Sequence, residues 1–551
     1  MYLSTLEIKN HLTIDNFFII FILCNYTLPM RTKLKQNIMR LLIILLIVLS
    51  FSTSFANYGI KLAEMPIIPK PFSVVSGKGS FKLSDKSEIC LSTSNIEVNK
   101  IGAFLREKLR PATGFMLPVV ESADQNGKNN IYLVLSQTNS VLGDEGYQLT
   151  IGASRIEILA NKSAGLFNGV QTLRQLFSEK IESSTHQNDS WIIPAGVIRD
   201  FPEYSYRGFM LDVARHFFSV SDVKRYIDLA SMYKMNVFHI HLSDDQGWRI
   251  EIKKWPELTA TGGKSQVGGG TGGFYTQEQY RDIVKYAAAR NVMVVPEIDL
   301  PGHTNAMLAS YAHLNCDTKA KTLYTGTEVG FSAICTSKES TYTFIEDVFK
   351  EISEMTPGNY IHIGGDESHV TKLEDYIPFV NRMQGIVAKL GKHVIGWDEI
   401  ALSDLKANSF VQYWGKAENA VLGVQKGAKV IMSPAMYAYL DMKYDSLTPF
   451  GLNWAGYLDV QKSYDWIPES IVPGIKRENI LGVEAPIWTE SISSMKNIEY
   501  MAFPRIVGIA EVGWCSASTR NWKEYKLRLA KQGKRLKVLG VNYYPSTQIA
   551  W

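Results

Sequence analysis

Cysteine is scarce in this chain. Five among 551 residues are too few for a disulfide scaffold, and they lack the spacing of an obvious zinc domain. An excess of one charge is also missing. Lys plus Arg number 58 against 54 Asp plus Glu, a net +4, whereas a nucleic-acid-coating protein needs a large, clustered basic excess. No G-x-G-x-x-G follows a strand and no G-x-x-x-x-G-K-[ST] occurs, so nucleotide binding has no support. What is present is bulk: 46% apolar and 20% charged residues bury a sizeable core and exclude general disorder. The length predicts two to four domains at about 100–200 residues each.

The small net charge hides an asymmetry. Residues 1–56 hold five basic and two acidic residues, so most of the excess sits there. Arg31, Lys33, Lys35 and Arg40 precede the apolar run Leu41–Leu49, and small residues follow up to Ala56. This is the pattern of an export signal, with cleavage after Ala56. The run falls short of the about 20 apolar residues that span a bilayer, so no stable membrane span is expected after cleavage. Residues 1–29 fit poorly ahead of such a signal, and Met30 is the expected true start. The mature chain is then expected to be exported, periplasmic or secreted, and to meet an oxidising compartment. Cys316 and Cys335 bracket a Gly/Thr-rich loop and are the expected disulfide. Cys90 and Cys515 read as small buried residues.

Two regions follow the leader. Residues 62–200 mix alternating strands, such as Tyr147–Ile151 and Arg155–Ala160, with a helix-spaced segment from Lys162 to Glu179. They read as a small α+β accessory domain with no cluster of His, Cys or carboxylates. From 204 to 551 the pattern is strand–helix alternation. Expected strands are Arg207–Val213, Asn236–Leu242, Val292–Ile298, Tyr360–Gly364, Val394–Trp397, Phe410–Trp414, Lys429–Ser433 and Ile480–Ile487. Eight strands with intervening helices predict an α/β fold, a (β/α)8 TIM barrel with insertions. A doubly wound open sheet is the competing topology. Gly268–Gly273 reads as a flexible loop on the active face. The last helices soon precede Trp551, so no separate C-terminal lectin module is expected.

In such a barrel, catalytic groups sit where strands end. Those places hold Asp212 and Arg215, then Asp244-Asp245, then Glu297, Asp299 and His303, then Asp366-Glu367. Trp397, Trp414, Tyr439, Asp441, Trp454, Trp488 and Glu490 follow. Acids and tryptophans on one face, with few lysines, describe a carbohydrate site: indoles stack on sugar faces and carboxylates bind hydroxyls or move protons. A lone acid at a strand end is as readily an N-cap, and a lone Trp is more often core. The conjunction at successive strand ends carries the functional reading. His239 and His241 read as packed, hydrogen-bonded histidines, since no third ligand follows at metal spacing. No metal and no cofactor are expected.

The hexapeptide His362-Ile-Gly-Gly-Asp-Glu367 resembles the signature of the family 20 glycoside hydrolases, the β-N-acetylhexosaminidases. Arg207–Phe218, His241–Arg249 and Pro296–His303 resemble that family's first three barrel strand ends. Gly396–Glu399, Gln412–Gly415, Tyr439–Asp441 and Glu484–Glu490 resemble later ones. The similarity covers 205–551, and the preceding α+β region resembles the family's accessory domain.

The resemblance implies exo-acting, retaining hydrolysis of non-reducing terminal β-GlcNAc from oligosaccharides or glycoconjugates, with β-GalNAc left open. It implies substrate-assisted catalysis through an oxazolinium intermediate. Glu367 is then general acid and base with a raised pKa. Asp366 and Tyr439 hold the acetamido group. Trp397, Trp414 and Trp488 wall the pocket, and Trp454 stacks on the next sugar. Arg215, Glu490 and Asp441 bind hydroxyls. Asp244, Asp299 and His303 tune Glu367. Two rivals stand beside this reading: an exo-enzyme that releases a disaccharide or transfers the sugar, and a non-catalytic sugar-binding barrel. Oligomeric state is not legible.

Overall fold

A computed structural model describes residues 60–121, 128–137 and 139–551. The expected leader, its start at Met30 and its cleavage after Ala56 lie outside the described residues. Residues Lys61–Trp551 form one compact unit with two main apolar cores. Among the described residues no helix is long and apolar enough to cross a membrane.

The accessory domain is a seven-stranded mixed sheet. In chain order its elements are β1 (Ser73–Lys82), β2 (Ile89–Leu91), α1 (Ile96–Thr113), β3 (Val119–Glu121) and β4 (Asn130–Leu135). They continue with β5 (Tyr147–Ile151), β6 (Arg155–Ala160), α2 (Ser163–Leu176) and β7 (Ile192–Asp200). The sheet order is β1-β7-β5-β6-β4-β2-β3. Helix α1 starts at Asn95, whose side chain accepts from the backbone N–H of Glu97 and Val98, and ends at Gly114 in the left-handed region. Both helices bury apolar faces on the sheet, and Trp514 of the barrel closes that core.

The barrel strands are β8 (Tyr206–Asp212), β9 (Val237–His241), β10 (Met293–Glu297) and β11 (Tyr360–His362), then β12 (His393–Trp397), β13 (Phe410–Tyr413), β14 (Lys429–Met432) and β15 (Ile480–Ala485). All neighbours are parallel, and β15 pairs with β8 to close the ring. The open-sheet alternative is therefore excluded. Helices pack outside it: α3 (Val220–Ser231), α4 (Gln277–Ala288), α5 (Glu339–Met355), α6 (Leu373–Lys389) and α7 (Ala417–Gln425), with α8 (Arg505–Trp514) and α9 (Trp522–Val538) after the last strand. Ser219 with Asp222, and Thr276 with Gln279, form reciprocal capping boxes that fix the starts of α3 and α4.

The barrel interior is layered. Tyr206, Val237, Val295, Ile395 and Ile431 make an apolar floor. One pleat further along the strands the inward residues turn polar: His239, Glu297, His362, Gln412 and Glu484, all fully buried. Above them the strands end and the long βα connections begin. The accessory domain is tied to the barrel through buried ion pairs, Lys234 with Asp200 and Arg535 with Glu182.

Candidate active site

The chain leaves β11 through a turn that only glycine permits. Gly364 has φ +68, and a Cβ there would lie 1.7 Å from Asp299 Oδ1. Asp299 Oδ1 accepts the N–H of Gly365 at 2.9 Å. The turn delivers Glu367 at φ +45, and His303 opposite it sits at φ +52. Such left-handed geometry costs a non-glycine residue roughly 1–3 kcal/mol and concentrates at functional sites. Asp299 thus shapes the backbone that carries Asp366 and Glu367, and its charge also bears on His303, which faces the Glu367 carboxyl.

His303 does face that carboxyl. Its Nε2 stands 3.5 Å from Glu367 Oε2 and 3.8 Å from Asp366 Oδ2. Its Nδ1 is 3.2 Å from Asp244 Oδ1. Asp244 Oδ2 pairs with Arg215 at 2.9 Å and with His241 Nε2 at 2.7 Å. The Arg215 guanidinium lies 4.8 Å from the centre of the Trp488 ring, a cation–π placement.

The electrostatics correct one expectation. Burial pushes the Glu367 carboxyl up, but the hydrogen bond and charge of His303, with Arg215, outweigh it and hold it below the ordinary glutamate range. The raised carboxyl is Asp366. Burial first, then the neighbouring Asp299 charge, push it well above its usual value. Burial drives His303 down, yet Asp244 and Asp299 more than reverse this and keep it protonated well above an ordinary histidine. These opposite shifts favour a protonated His303 beside an ionised Glu367.

Aromatic rings wall the pocket. The centroids of Trp397 and Trp488 are 5.6 Å apart. Trp414 and Trp454 meet edge to face at 5.9 Å, and Tyr439 stands 6.0 Å from Trp454. Trp397 is fully buried, whereas Trp454 is 55% exposed, which makes it the outer wall. Trp414 is held twice. Asp398 Oδ2 accepts the backbone N–H groups of Trp414, Gly415 and Lys416 at 3.1–3.3 Å. Glu399 Oε2 accepts the indole N–H at 3.1 Å. Asp441 Oδ1 accepts the N–H of Trp488 at 3.3 Å. Several buried polar atoms here have no partner among the described residues: Arg215 Nε, Asp366 Oδ1 and Asp441 Oδ2. Burial and the nearby Glu490 raise Asp441 well above its usual value. Burial also raises Glu490, against the pull of Arg215.

Cys316 and Cys335 form a disulfide, and Cys90 and Cys515 are buried and free. The disulfide closes a loop whose Ser332 hydroxyl donates to Asp245 Oδ1. Gly268–Gly273 is tied down instead of free: Gly268 N–H donates to the Thr325 carbonyl, and Gly273 N–H to that of Gly263, both at 2.9 Å. Sequence reasoning left Glu484, His362, Asp398 and Glu399 without roles. Buried His and carboxylate groups cluster in several places. In the cluster on β9–β11, both ring nitrogens of His239 face carboxylates, Glu484 at 2.8 Å and Glu297 at 3.0 Å. His239 itself therefore has no ring lone pair left for a metal.

An acid pair at one barrel strand end, an indole-walled pocket and unpaired buried polar atoms define a carbohydrate-cleaving barrel. Residues 204–517 match the model of glycosyl hydrolase family 20, catalytic domain, and residues 64–201 that of its domain 2. The chain belongs to glycosyl hydrolase family 20, and its activity is that of a β-N-acetylhexosaminidase. It is 38% identical over 491 residues to a beta-N-acetylhexosaminidase of Cellulomonas fimi, covering 89% of this chain and 97% of that one. The solved GH20 beta-N-acetylhexosaminidase of Streptomyces coelicolor A3(2) is similar at 48% identity and a TM-score of 0.85, covering 88% of this chain and 98% of that one. The N-acetyl-beta-hexosaminidase of Streptomyces plicatus, solved with Thio-NAglucal, is also 48% identical with a TM-score of 0.85, covering 88% and 97%.

Proposed function

We propose that the enzyme removes non-reducing terminal β-GlcNAc, one sugar at a time and with retention, by substrate-assisted catalysis. The observation that carries this is the adjacency of two unlike carboxyls, Asp366 buried and raised, Glu367 more open and paired with His303. Successive residues on one turn do not supply the facing nucleophile and acid, about 5–5.5 Å apart, of an ordinary retaining site. The sugar's own acetamido oxygen fills the missing role, with the high effective molarity of an intramolecular attack.

In the first step that oxygen bonds to the anomeric carbon as the bond to the leaving oxygen breaks. Glu367 gives the leaving oxygen the proton it shares with His303. Asp366 accepts the acetamido N–H, and the positive charge growing on the oxazolinium favours its ionised form, its proton passing to solvent before the bond breaks, so that it offsets that charge. Tyr439 donates to the acetamido oxygen. In the second step Glu367 takes a proton from water, which attacks the anomeric carbon and reopens the ring with retention. Arg215 Nε and Asp441 Oδ2, buried and without partners, bind sugar hydroxyls together with Glu490. Trp397, Trp414 and Trp488 enclose the ring, and Trp454 offers a face to the next sugar. A pocket walled on this many sides suits a chain end, so the substrate class is oligosaccharides and glycoconjugates with terminal β-HexNAc.

The basic, then apolar, then small-residue pattern up to Ala56 supports export to the periplasm or beyond, and the Cys316–Cys335 disulfide suits an oxidising compartment. Glu367→Gln is expected to slow hydrolysis of an aryl β-N-acetylglucosaminide by roughly 10²–10⁴-fold while leaving sugar binding. Near-normal turnover by that variant would sink the assignment of the acid.

A further inference from the structure

A column of buried ionisable groups runs along the barrel axis beneath the pocket. The Tyr206 hydroxyl donates to Glu484 Oε2 at 2.6 Å. Glu484 Oε1 faces His239 Nδ1 at 2.8 Å, and His239 Nε2 faces Glu297 Oε2 at 3.0 Å. The same Glu297 oxygen faces His241 Nδ1 at 2.5 Å, and His241 Nε2 stands 2.7 Å from Asp244 Oδ2. The other Glu297 oxygen accepts the indole N–H of Trp397 at 2.9 Å and lies 3.0 Å from His362 Nδ1. Every member is fully buried, so solvent does not screen these contacts.

We propose that Glu297 is a positioning residue for the glycosidase reaction, one that holds His241 with both ring nitrogens donating and thereby fixes Asp244 against His303, while its second oxygen fixes the Trp397 wall. This rests on the reading of Glu367 as the acid that His303 serves. The geometry argues it directly. His241 lies between two carboxylates and touches each with one nitrogen, so both nitrogens carry hydrogen and the ring is an imidazolium. Asp244 Oδ2 then receives N–H groups from His241 and Arg215. Its Oδ1 is left for His303 Nδ1 and the Asp245 backbone N–H. Take away the Glu297 charge and His241 keeps one carboxylate partner, Asp244, beside the edge of the Trp488 ring at 4.9 Å. His239 and His362 lose the carboxylate they share. A ring free to shed its Nδ1 proton becomes neutral: its Nε2–H still reaches Asp244, but without the charge that makes the contact strong enough to hold that carboxylate against His303. Electrostatic support agrees: burial lowers His241, but Glu297 and Asp244 raise it well above an ordinary histidine.

The test compares the full chain with Glu297→Gln, Asp244→Asn and the double variant, measuring kcat, KM and their pH dependence on an aryl β-N-acetylglucosaminide. Glutamine keeps the shape and an oxygen for Trp397 but not the charge. The expected result for Glu297→Gln is a roughly 10- to 100-fold drop in kcat, the scale of a small misplacement near the chemistry, with KM changed far less. Its alkaline limb moves to lower pH, as in Asp244→Asn, and the double variant is no slower than Asp244→Asn alone. An unmoved pH profile, with losses that multiply in the double variant, would overturn the proposal. Should Glu297→Gln not fold, His241→Gln reads the same link: a shifted alkaline limb supports it and a wild-type profile overturns it. Coupling between Glu297 and Asp244 is measured whichever residue is the acid. Its failure is thus distinct from a failure of the Glu367 assignment, which Glu367→Gln reports.

Discussion

His303 turns Nε2 toward the Glu367 carboxylate at 3.5 Å. The histidine is raised well above its ordinary value while Glu367 lies below its own, so a proton shared by the pair is favoured on His303. Loss of that shared proton ends activity on the alkaline side. The sign follows: kcat/KM falls only as pH rises through the raised value of the pair, above the about 6.5 of a free histidine. In His303→Asn, Glu367 has no cation to share with and must retain the proton alone. The alkaline limb is then expected to move to lower pH by about one unit or more, the size of a charge-pair effect. A pH–kcat/KM profile of the variant that overlays the wild type would show that His303 is not the proton's holder.

Glu399, which accepts the Trp414 indole N–H, is another raised carboxyl. Burial, then the charges of Asp398 and Asp366, push it up to about 8. The unfolded chain ionises this group near pH 4.3, so between about 4.3 and 8 the folded state holds a proton that the unfolded state has lost. Stability therefore declines across that window and levels off above it. Glu399→Gln imitates the protonated form and still offers an oxygen to the Trp414 indole. Its melting temperature relative to wild type is expected to rise from pH 4.5 to 8.5, by an amount worth about a few kcal/mol at most. A difference that stays constant with pH would mean Glu399 is ionised in the fold.

Much of this site was legible in the sequence because a barrel concentrates its chemistry at strand ends. Near-continuous apolar runs ending in an acid or Trp mark those ends, and the expected strands match the observed ones to within two residues at most boundaries. The accessory domain was less legible. Strand β1 is mostly exposed, carries Gly77 and Gly79 and breaks register between Ser76 and Ser80, so no alternation announces it. Helix α1 contains Pro111. The axial column was hidden for a different reason. Period-two alternation on β9 tells that His239 and His241 share a face, but not that Glu297 and Glu484 arrive beside them from distant strands. The lowered Glu367 carboxyl was hidden for the same reason: it depends on His303, which Asp244 holds, and that pairing is a tertiary fact.

Lys234 and Asp200 join the barrel to the accessory domain through a 2.7 Å ion pair from which solvent is fully excluded. The Lys234 ammonium also lies 4.4 Å from the Trp514 ring centre and 3.1 Å from the Tyr147 hydroxyl. Asp200 further accepts from that hydroxyl and from the Trp514 indole, each at 2.8 Å. Burial lowers the lysine, Asp200 opposes this, and the lysine remains somewhat below its ordinary value. Desolvation makes such a pair a weak net source of stability, yet removing one partner leaves a buried charge alone and costs about 3–5 kcal/mol. Lys234→Met is therefore expected to lower the denaturant midpoint markedly. Adding Asp200→Asn should recover part of the loss, because the stranded carboxylate is neutralised while the amide oxygen stays for the Trp514 indole and the amide N–H can donate to the Tyr147 hydroxyl oxygen. A double variant less stable than Lys234→Met alone would show that Asp200 stabilises the interface mainly through Tyr147 and Trp514, not through the lysine.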